Sequence, residues 1–460
     1  MASAALAVPA QLSIASLRTL YLSGALTPQQ LIADTRQRIQ RDSDNPIWIT
    51  VLDDTALAPY LQSLSSLDKH THPLWGIPFA IKDNIDLANV PTTVACPAYA
   101  YTPTQHAHVV EKLLAAGAIP IGKTNMDQFA TGLVGTRSPY GEVQNAFLPE
   151  FISGGSSSGS AVALARGHVA FALGTDTAGS GRAPASLNHL VGLKPSRGLL
   201  STRGVVPACR TLDCVSLFTH CIDDARTLLD ITQGFDPEDS YSRRFSISPI
   251  DNGLSRLKIG VPKPGQLEFF GCKKSAQLFE QALHTAEQLG AAISEIDFSA
   301  FREAAAMLYS GPWVAERYHV AHDLVTNNPS ALLPVIQQIL QSATGISAAD
   351  MFSAFYRLQD LRRAAEPLLA SVDAIMTPTI PRAYTRAEIA AAPIELNSKL
   401  GTYTNFMNLL DLAALAIPTQ HDCNGLPYGI TLFADHGSDW RLLQIAGKLF
   451  PSSQSCPSPT

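Results

Sequence analysis

The chain has 460 residues, and only 16% are charged, with 33 Lys plus Arg against 39 Asp plus Glu. The resulting charge of −6 argues against a nucleic-acid or anionic-membrane partner, because either demands a basic patch. Glycine (30) and proline (31) sit near ordinary usage, which rules out collagen and bulk disorder, and no apolar run reaches the roughly 18 residues of a membrane span.

Length alone suggests about three domains and a core large enough to need neither disulfide nor metal. The seven cysteines are odd in number and contain no CxxC, so thiols in a reducing cytoplasm are expected. No basic n-region of a signal peptide precedes Arg18.

Residues 1–70 read as an N-terminal helical segment. Ile14, Leu17, Leu20 and Tyr21 recur at helical spacing up to Gly24, and Thr27-Pro28 opens a second helix. From about 74 the texture alternates. Gly76 to Ile81 reads as a buried strand, Val109 to Ala116 as a helix, and Ala118 to Ile121 and Val169 to Leu173 as further strands. Lys258 to Val261, a helix ending at Gly290, and Ala292 to Ile296 repeat the pattern. Residues 301–370 read as mostly helical, with Ala374 to Met376 returning as a core strand. Such alternation predicts an α/β domain around a largely buried sheet. Residues 451–460 are polar and proline-rich, and are expected to form a tail or a linker to a further C-terminal domain.

Three short motifs mislead. Gly117 to Thr124 fits GxxxxGK[ST], but its middle is apolar and holds a proline without an amide, so it reads as a strand rather than a phosphate loop. Gly155 to Gly159 fits GxSxG, yet no good strand precedes it and no catalytic histidine stands out. Ser66 to Lys69 fits SxxK, a pattern short enough to arise by chance. No histidine pair has metal-ligand spacing, and neither a metal nor an organic cofactor is expected.

Two Gly/Ser clusters carry more weight: Gly154 to Ala161 and Gly174 to Arg182. A helix and a strand between them bring both to one end of the sheet. Small residues there let backbone amides face a ligand, and a run of amides ending at Ser180, before a helix expected from Ala183, would form an oxyanion hole. Either cluster alone reads equally as a tight turn. Lys82 ends an apolar strand, an unusual place for a charge. Burial would lower its pKa from about 10.4 and yield a neutral amine, although a lysine snorkelling from a strand end reads the same locally.

Taken together, Lys82, Gly154-Gly155-Ser156-Ser157-Ser158-Gly159-Ser160-Ala161 and Gly174-Thr175-Asp176-Thr177-Ala178-Gly179-Ser180-Gly181-Arg182 closely resemble the amidase signature family. The resemblance runs from about residue 15 to 450. It implies an α/β fold with a central mixed β-sheet covered by helices on both faces, one catalytic domain over 71–450, and a homodimer. It also implies a Ser–Ser–Lys triad: Ser180 as nucleophile, Ser156 as bridging serine after a cis peptide bond, and Lys82 as terminal base. The amides of Thr177, Ala178, Gly179 and Ser180 match the oxyanion hole, and Arg182 reads as structural. Ser158, Ala178 and Gly181 depart from the commonest pattern without removing a reacting group.

Within the family, Gly135 to Gly141 and Gly174 to Pro184 resemble the allophanate hydrolases. So does Tyr309-Ser310-Gly311-Pro312-Trp313-Val314-Ala315-Glu316-Arg317, where Gly311-Pro312 breaks a helix between Tyr309 and Arg317. The resemblance implies that Arg317 holds a substrate carboxylate, that Tyr309 orients it and that Gly132 offers a backbone contact. The expected substrate is a small anionic amide, allophanate, in urea or s-triazine nitrogen breakdown. The alternatives are a malonamate- or biuret-type amidase, a component of a tRNA-dependent amidotransferase, and a degenerate homologue that only binds.

Overall fold

The computed structural model describes residues 8–245, 257–454 and 456. The N-terminal helices form where their caps stand. Ser13 Oγ accepts from Ser16 N at 3.2 Å to start the helix Ile14–Ser23, and Gly24, at φ 74°, ends it in a left-handed conformation. Thr27 and Gln30 close a reciprocal capping box on the helix Pro28–Arg41. The segment expected to be wholly helical also contributes a strand, β1 (Trp48–Val51). Its four residues are aromatic or β-branched, but the run is too short to show a period.

The remaining strands are β2 (Pro78–Lys82), β3 (Ile119–Thr124), β4 (Phe171–Asp176), β5 (Val191–Lys194), β6 (Cys214–Thr219), β7 (Lys258–Pro262), β8 (Ala292–Ile296), β9 (Ala374–Pro378), β10 (Ala413–His421) and β11 (Pro427–Ala434). They form one sheet in the order β1-β3-β2-β4-β6-β5-β10-β11-β9-β7-β8. It is mixed: β3, β2 and β4 run parallel, as do β8, β7 and β9, while the central pairs are antiparallel. Helices flank it, and the side chains alternate as a pleat requires. Ala374 and Met376 enter one apolar core and Ile375 the other; Leu432 and Phe433 divide in the same way.

Residues 301–370 hold the helices Ser299–Ser310, Trp313–Asn327, Pro334–Gln341 and Ala348–Ala370, and Gly311-Pro312 separates the first two. The described part of the Ser/Pro stretch packs through hydrogen bonds rather than apolar burial. Ser453 Oγ donates to Pro418 O at 3.1 Å, and Gln454 O accepts from Asp223 N at 3.0 Å.

Candidate active site

The site is set by the ends of β2 and β4, which lie side by side in parallel. Strand β2 delivers Lys82 fully buried. Strand β4, expected over 169–173, runs on to Asp176 and so carries Thr175 to the same end. Lys82 Nζ donates to Ser156 Oγ and to Thr175 Oγ1, each at 2.8 Å. Ser156 Oγ in turn donates to Ser180 Oγ at 3.0 Å. Ser180, Ser156 and Lys82, far apart in sequence, thus form one hydroxyl–hydroxyl–amine line, with Thr175 a second acceptor at its amine end.

Burial pushes the Lys82 ammonium down to about 7, against the opposing pull of the Asp127, Asp213 and Asp176 carboxylates. An amine poised there exchanges protons near neutrality. Asp83, the next residue, turns away; its carboxylate accepts from Thr93 N at 3.0 Å and stands 3.6 Å from Lys123 Nζ.

The first Gly/Ser cluster wraps closely around this line. The Gly155–Ser156 peptide is cis. A Cβ on Gly155 would fall 2.2 Å from Asp127 Oδ2, so only glycine fits. Asp127 itself holds the facing turn, accepting from the amides of Val134, Gly135 and Arg137 at 3.0 to 3.2 Å.

The second cluster turns between β4 and the short helix Ala183–Leu187. The amides of Thr177, Ala178, Gly179 and Ser180 have no acceptor among the described residues, whereas those that follow are used. Arg182 secures the turn with a buried fork, Nε and Nη2 reaching Asp176 at 2.8 and 2.9 Å. Free amides beside a hydroxyl suit a developing oxyanion.

Arg317 and Tyr309 come together near this line. Arg317 is 2% exposed, and its Nη1 donates to Ala130 O at 3.1 Å and Thr131 Oγ1 at 3.2 Å. Its Nε and Nη2 have no acceptor among the described residues, and Tyr309 Oη likewise has no partner. The guanidinium carbon stands 5.4 Å from the Tyr309 ring centre. Gly132 sits against the same loop, where a Cβ would come within 2.6 Å of Asp127 Oδ2. A buried cation with two unused nitrogens has the chemistry to take a planar anion.

Sequence reasoning misses Thr175, Asp127 and Asp213. Thr175 stands inside the second cluster, and the parallel β2–β4 register, Ile81 beside Leu173, brings it to the same sheet end as Lys82. The misleading motifs resolve into structure. Lys123 is buried against Asp83 and donates to Thr92 Oγ1 at 2.8 Å, and Ser157 Oγ donates to Thr175 O at 3.2 Å. Among the described residues, the one grouping of candidate metal ligands is Cys221, Asp224 and Cys456, none of which belongs to this site.

A family model described as Amidase matches residues 30–443. The chain is similar to urea amidolyase of Saccharomyces cerevisiae, 47% identical over 407 residues, covering 88% of this chain and 22% of that protein. It is also similar to the amidase component of the glutamyl-tRNA(Gln) amidotransferase of Alkaliphilus metalliredigens, 32% identical over 469 residues and covering 95% of each. Among solved structures, Kluyveromyces lactis allophanate hydrolase matches with a TM-score of 0.91 at 42% identity, covering 98% of this chain and 73% of that one. The chain spans about a fifth of the length of the curated urea amidolyases it matches.

Proposed function

The chain belongs to the amidase family, and on that premise we propose that it hydrolyses allophanate through an acyl-enzyme on Ser180. Neutral Lys82 takes a proton from Ser156 as Ser156 takes one from Ser180. Ser180 Oγ then attacks the terminal urea carbonyl. The amides of Thr177 to Ser180 hold the oxyanion, and the relay returns the proton to the departing ammonia. Water cleaves the ester by the same route. The carbon product is a carboxylated carbamate, which decays to carbon dioxide and ammonia. The steps draw on this chain's own groups and call for no metal or organic cofactor.

The observation that carries the substrate is Arg317. A fully enclosed guanidinium with Nε and Nη2 unused, beside an unpartnered Tyr309 hydroxyl, calls for a carboxylate. Allophanate is a urea bearing one on nitrogen. The likeness to allophanate hydrolase and urea amidolyase supports the same choice, and with it a role in urea nitrogen breakdown. The seven free cysteines support a reducing, cytoplasmic setting, and the family likeness supports a homodimer.

The test is ammonia release from allophanate, malonamate, biuret and urea, with Ser180→Ala as control. Allophanate should be turned over by the wild type and not by the control. Turnover of urea in its place would overturn the substrate assignment. Arg317→Ala should abolish allophanate turnover while Ser180 still reacts with a small acylating probe.

A further inference from the structure

Asp213 is a buried carboxylate with no Lys, Arg or His within ion-pair distance among the described residues. It lies just before β6, whose first residue, Cys214, pairs with Asp176 at the end of β4, so it faces the start of the oxyanion turn. Thr177 Oγ1 donates to it through a short hydrogen bond, and the amides of Ala208 and Cys209 donate at 2.7 and 3.3 Å.

The turn 208–213 that Asp213 closes is fastened on its far side to the helix Trp313–Asn327. Thr211 N and Oγ1 each donate to the Glu316 carboxylate at 2.7 Å, and Cys209 Sγ reaches Trp313 O at 3.6 Å. Glu316 directly precedes Arg317 in that helix. One buried carboxyl therefore links the oxyanion turn to the helix that bears the anion-binding guanidinium.

Capping of a tight turn explains the two amide bonds. It explains neither the Thr177 hydroxyl nor a negative charge within electrostatic reach of both Lys82 and Arg317. The three donors occupy both carboxylate oxygens, so an asparagine, with one acceptor oxygen, could not serve them all. We propose that Asp213 is a positioning residue for the reaction: it locks the oxyanion turn to the Arg317 helix and supports the proton-relay lysine through its charge.

The charge has a defined effect. Burial lifts the Asp213 carboxyl to about 6, while the Thr177 and amide bonds and Arg317 favour its ionised form. Once ionised, it raises the Lys82 pKa together with Asp127 and Asp176, against Arg317. Glu316 faces it across Thr211, and the Cys209 thiol, pushed up by burial, stays neutral. Removing the charge lowers the Lys82 pKa further, so the rising limb of kcat/KM moves to the acid side.

Three variants separate tether from charge. Asp213→Asn, with Oδ1 toward Thr177, keeps that acceptor but loses the charge and the Ala208 bond; Thr177→Val loses the tether but keeps the charge and the amide; the double variant closes the cycle. Asp213→Asn should lower kcat about tenfold and shift the limb to acid, without raising KM for the anionic substrate. Thr177→Val should lower kcat to a similar extent with the limb unmoved. The double variant should lose less than the product of the two.

An unmoved limb in Asp213→Asn would overturn the inference, and so would a large rise in KM, because a collapsed pocket raises KM. If Asp213→Asn does not fold, Thr177→Val decides alone: unchanged kcat sinks the proposal. The inference rests on Ser180 and Lys82 acting as described above. Failure of that reading would show separately, as a wild-type enzyme that releases no ammonia.

Discussion

Lys82 Nζ and Ser156 Oγ lie 2.8 Å apart although 74 residues separate them in the chain. The contact exists because β2 ends beside the turn that precedes the helix Ser158–Ala165, in a space cleared by glycines. Lys82 has no exposed surface, so burial acts at full strength on its charge. The burial that suits Lys82 to the proposed role of proton acceptor also makes it an expensive residue to bury.

That cost should be measurable. The folded value of about 7 lies below the ordinary 10.5, so the unfolded chain binds the extra proton. The penalty is full below pH 7 and fades as pH rises toward the unfolded value, with a ceiling of roughly 4 to 5 kcal/mol. Lys82→Met should therefore raise the Tm at pH 7, with the gain closing toward pH 10, while kcat falls about a thousandfold. Thermal melts across that range check it, and a gap independent of pH would show that Lys82 is not held neutral.

Thr175 is the second acceptor for Lys82 Nζ, and Asn84 Nδ2 also approaches its hydroxyl at 3.3 Å. An acceptor favours the ammonium over the amine. Thr175→Val should therefore shift the rising limb of kcat/KM to the acid side. Loss of the geometric restraint on the amine should lower the plateau about tenfold. A pH–rate profile separates the two effects. A plateau loss without a shift would make Thr175 a packing residue only.

The reacting groups are legible in the sequence because each stands in a motif of unusual residue type: a lysine closing an apolar strand, and serines amid glycines. Their partners are not. Asp213 sits in Thr211-Leu212-Asp213-Cys214, which has no local pattern, and its proposed role depends on a contact with Thr177 and on a turn that Cys209 and Thr211 fasten to the helix from Trp313. Thr175 reads as part of a turn because apolar spacing ends β4 at Leu173, short of its true end at Asp176. Strand β1 disappears into a helical segment, since four residues cannot show periodicity. Strands β2, β3, β4, β7, β8 and β9 and the 301–370 helices are clear from apolar spacing, while β5, β6, β10 and β11 are not read from it, and the strand order depends on pairings between distant segments, on which local spacing is silent.

Tyr309 Oη is buried without a hydrogen-bond partner among the described residues. Removing it costs no hydrogen bond there, so Tyr309→Phe should leave the Tm unchanged or slightly higher. On the proposed reading, the same oxygen meets the carboxylate held by Arg317 in the substrate complex. KM for allophanate should then rise about tenfold, with turnover of an uncharged amide unaffected. Parallel melts and kinetics test this; a substantial loss of Tm would mean that the hydroxyl is structural.

Arg182 separates stability from chemistry in the opposite direction. Burial would raise the Asp176 carboxyl, but the Arg182 fork, Lys194 and the Gly181 amide hold it below the ordinary carboxylate value. The pair's contribution is thus present above the unfolded carboxylate range and is lost only as pH falls through the lower folded value. Arg182→Met leaves Asp176 charged and enclosed, which should cost about 3 to 5 kcal/mol. Asp176→Asn combined with Arg182→Met removes both charges and should recover much of that loss, with less sensitivity to acid. Urea denaturation at pH 7 and pH 4 distinguishes the outcomes. Equal stability of the single and double variants would mean that the arginine acts by filling space against Met407 and Thr404 rather than by neutralising Asp176.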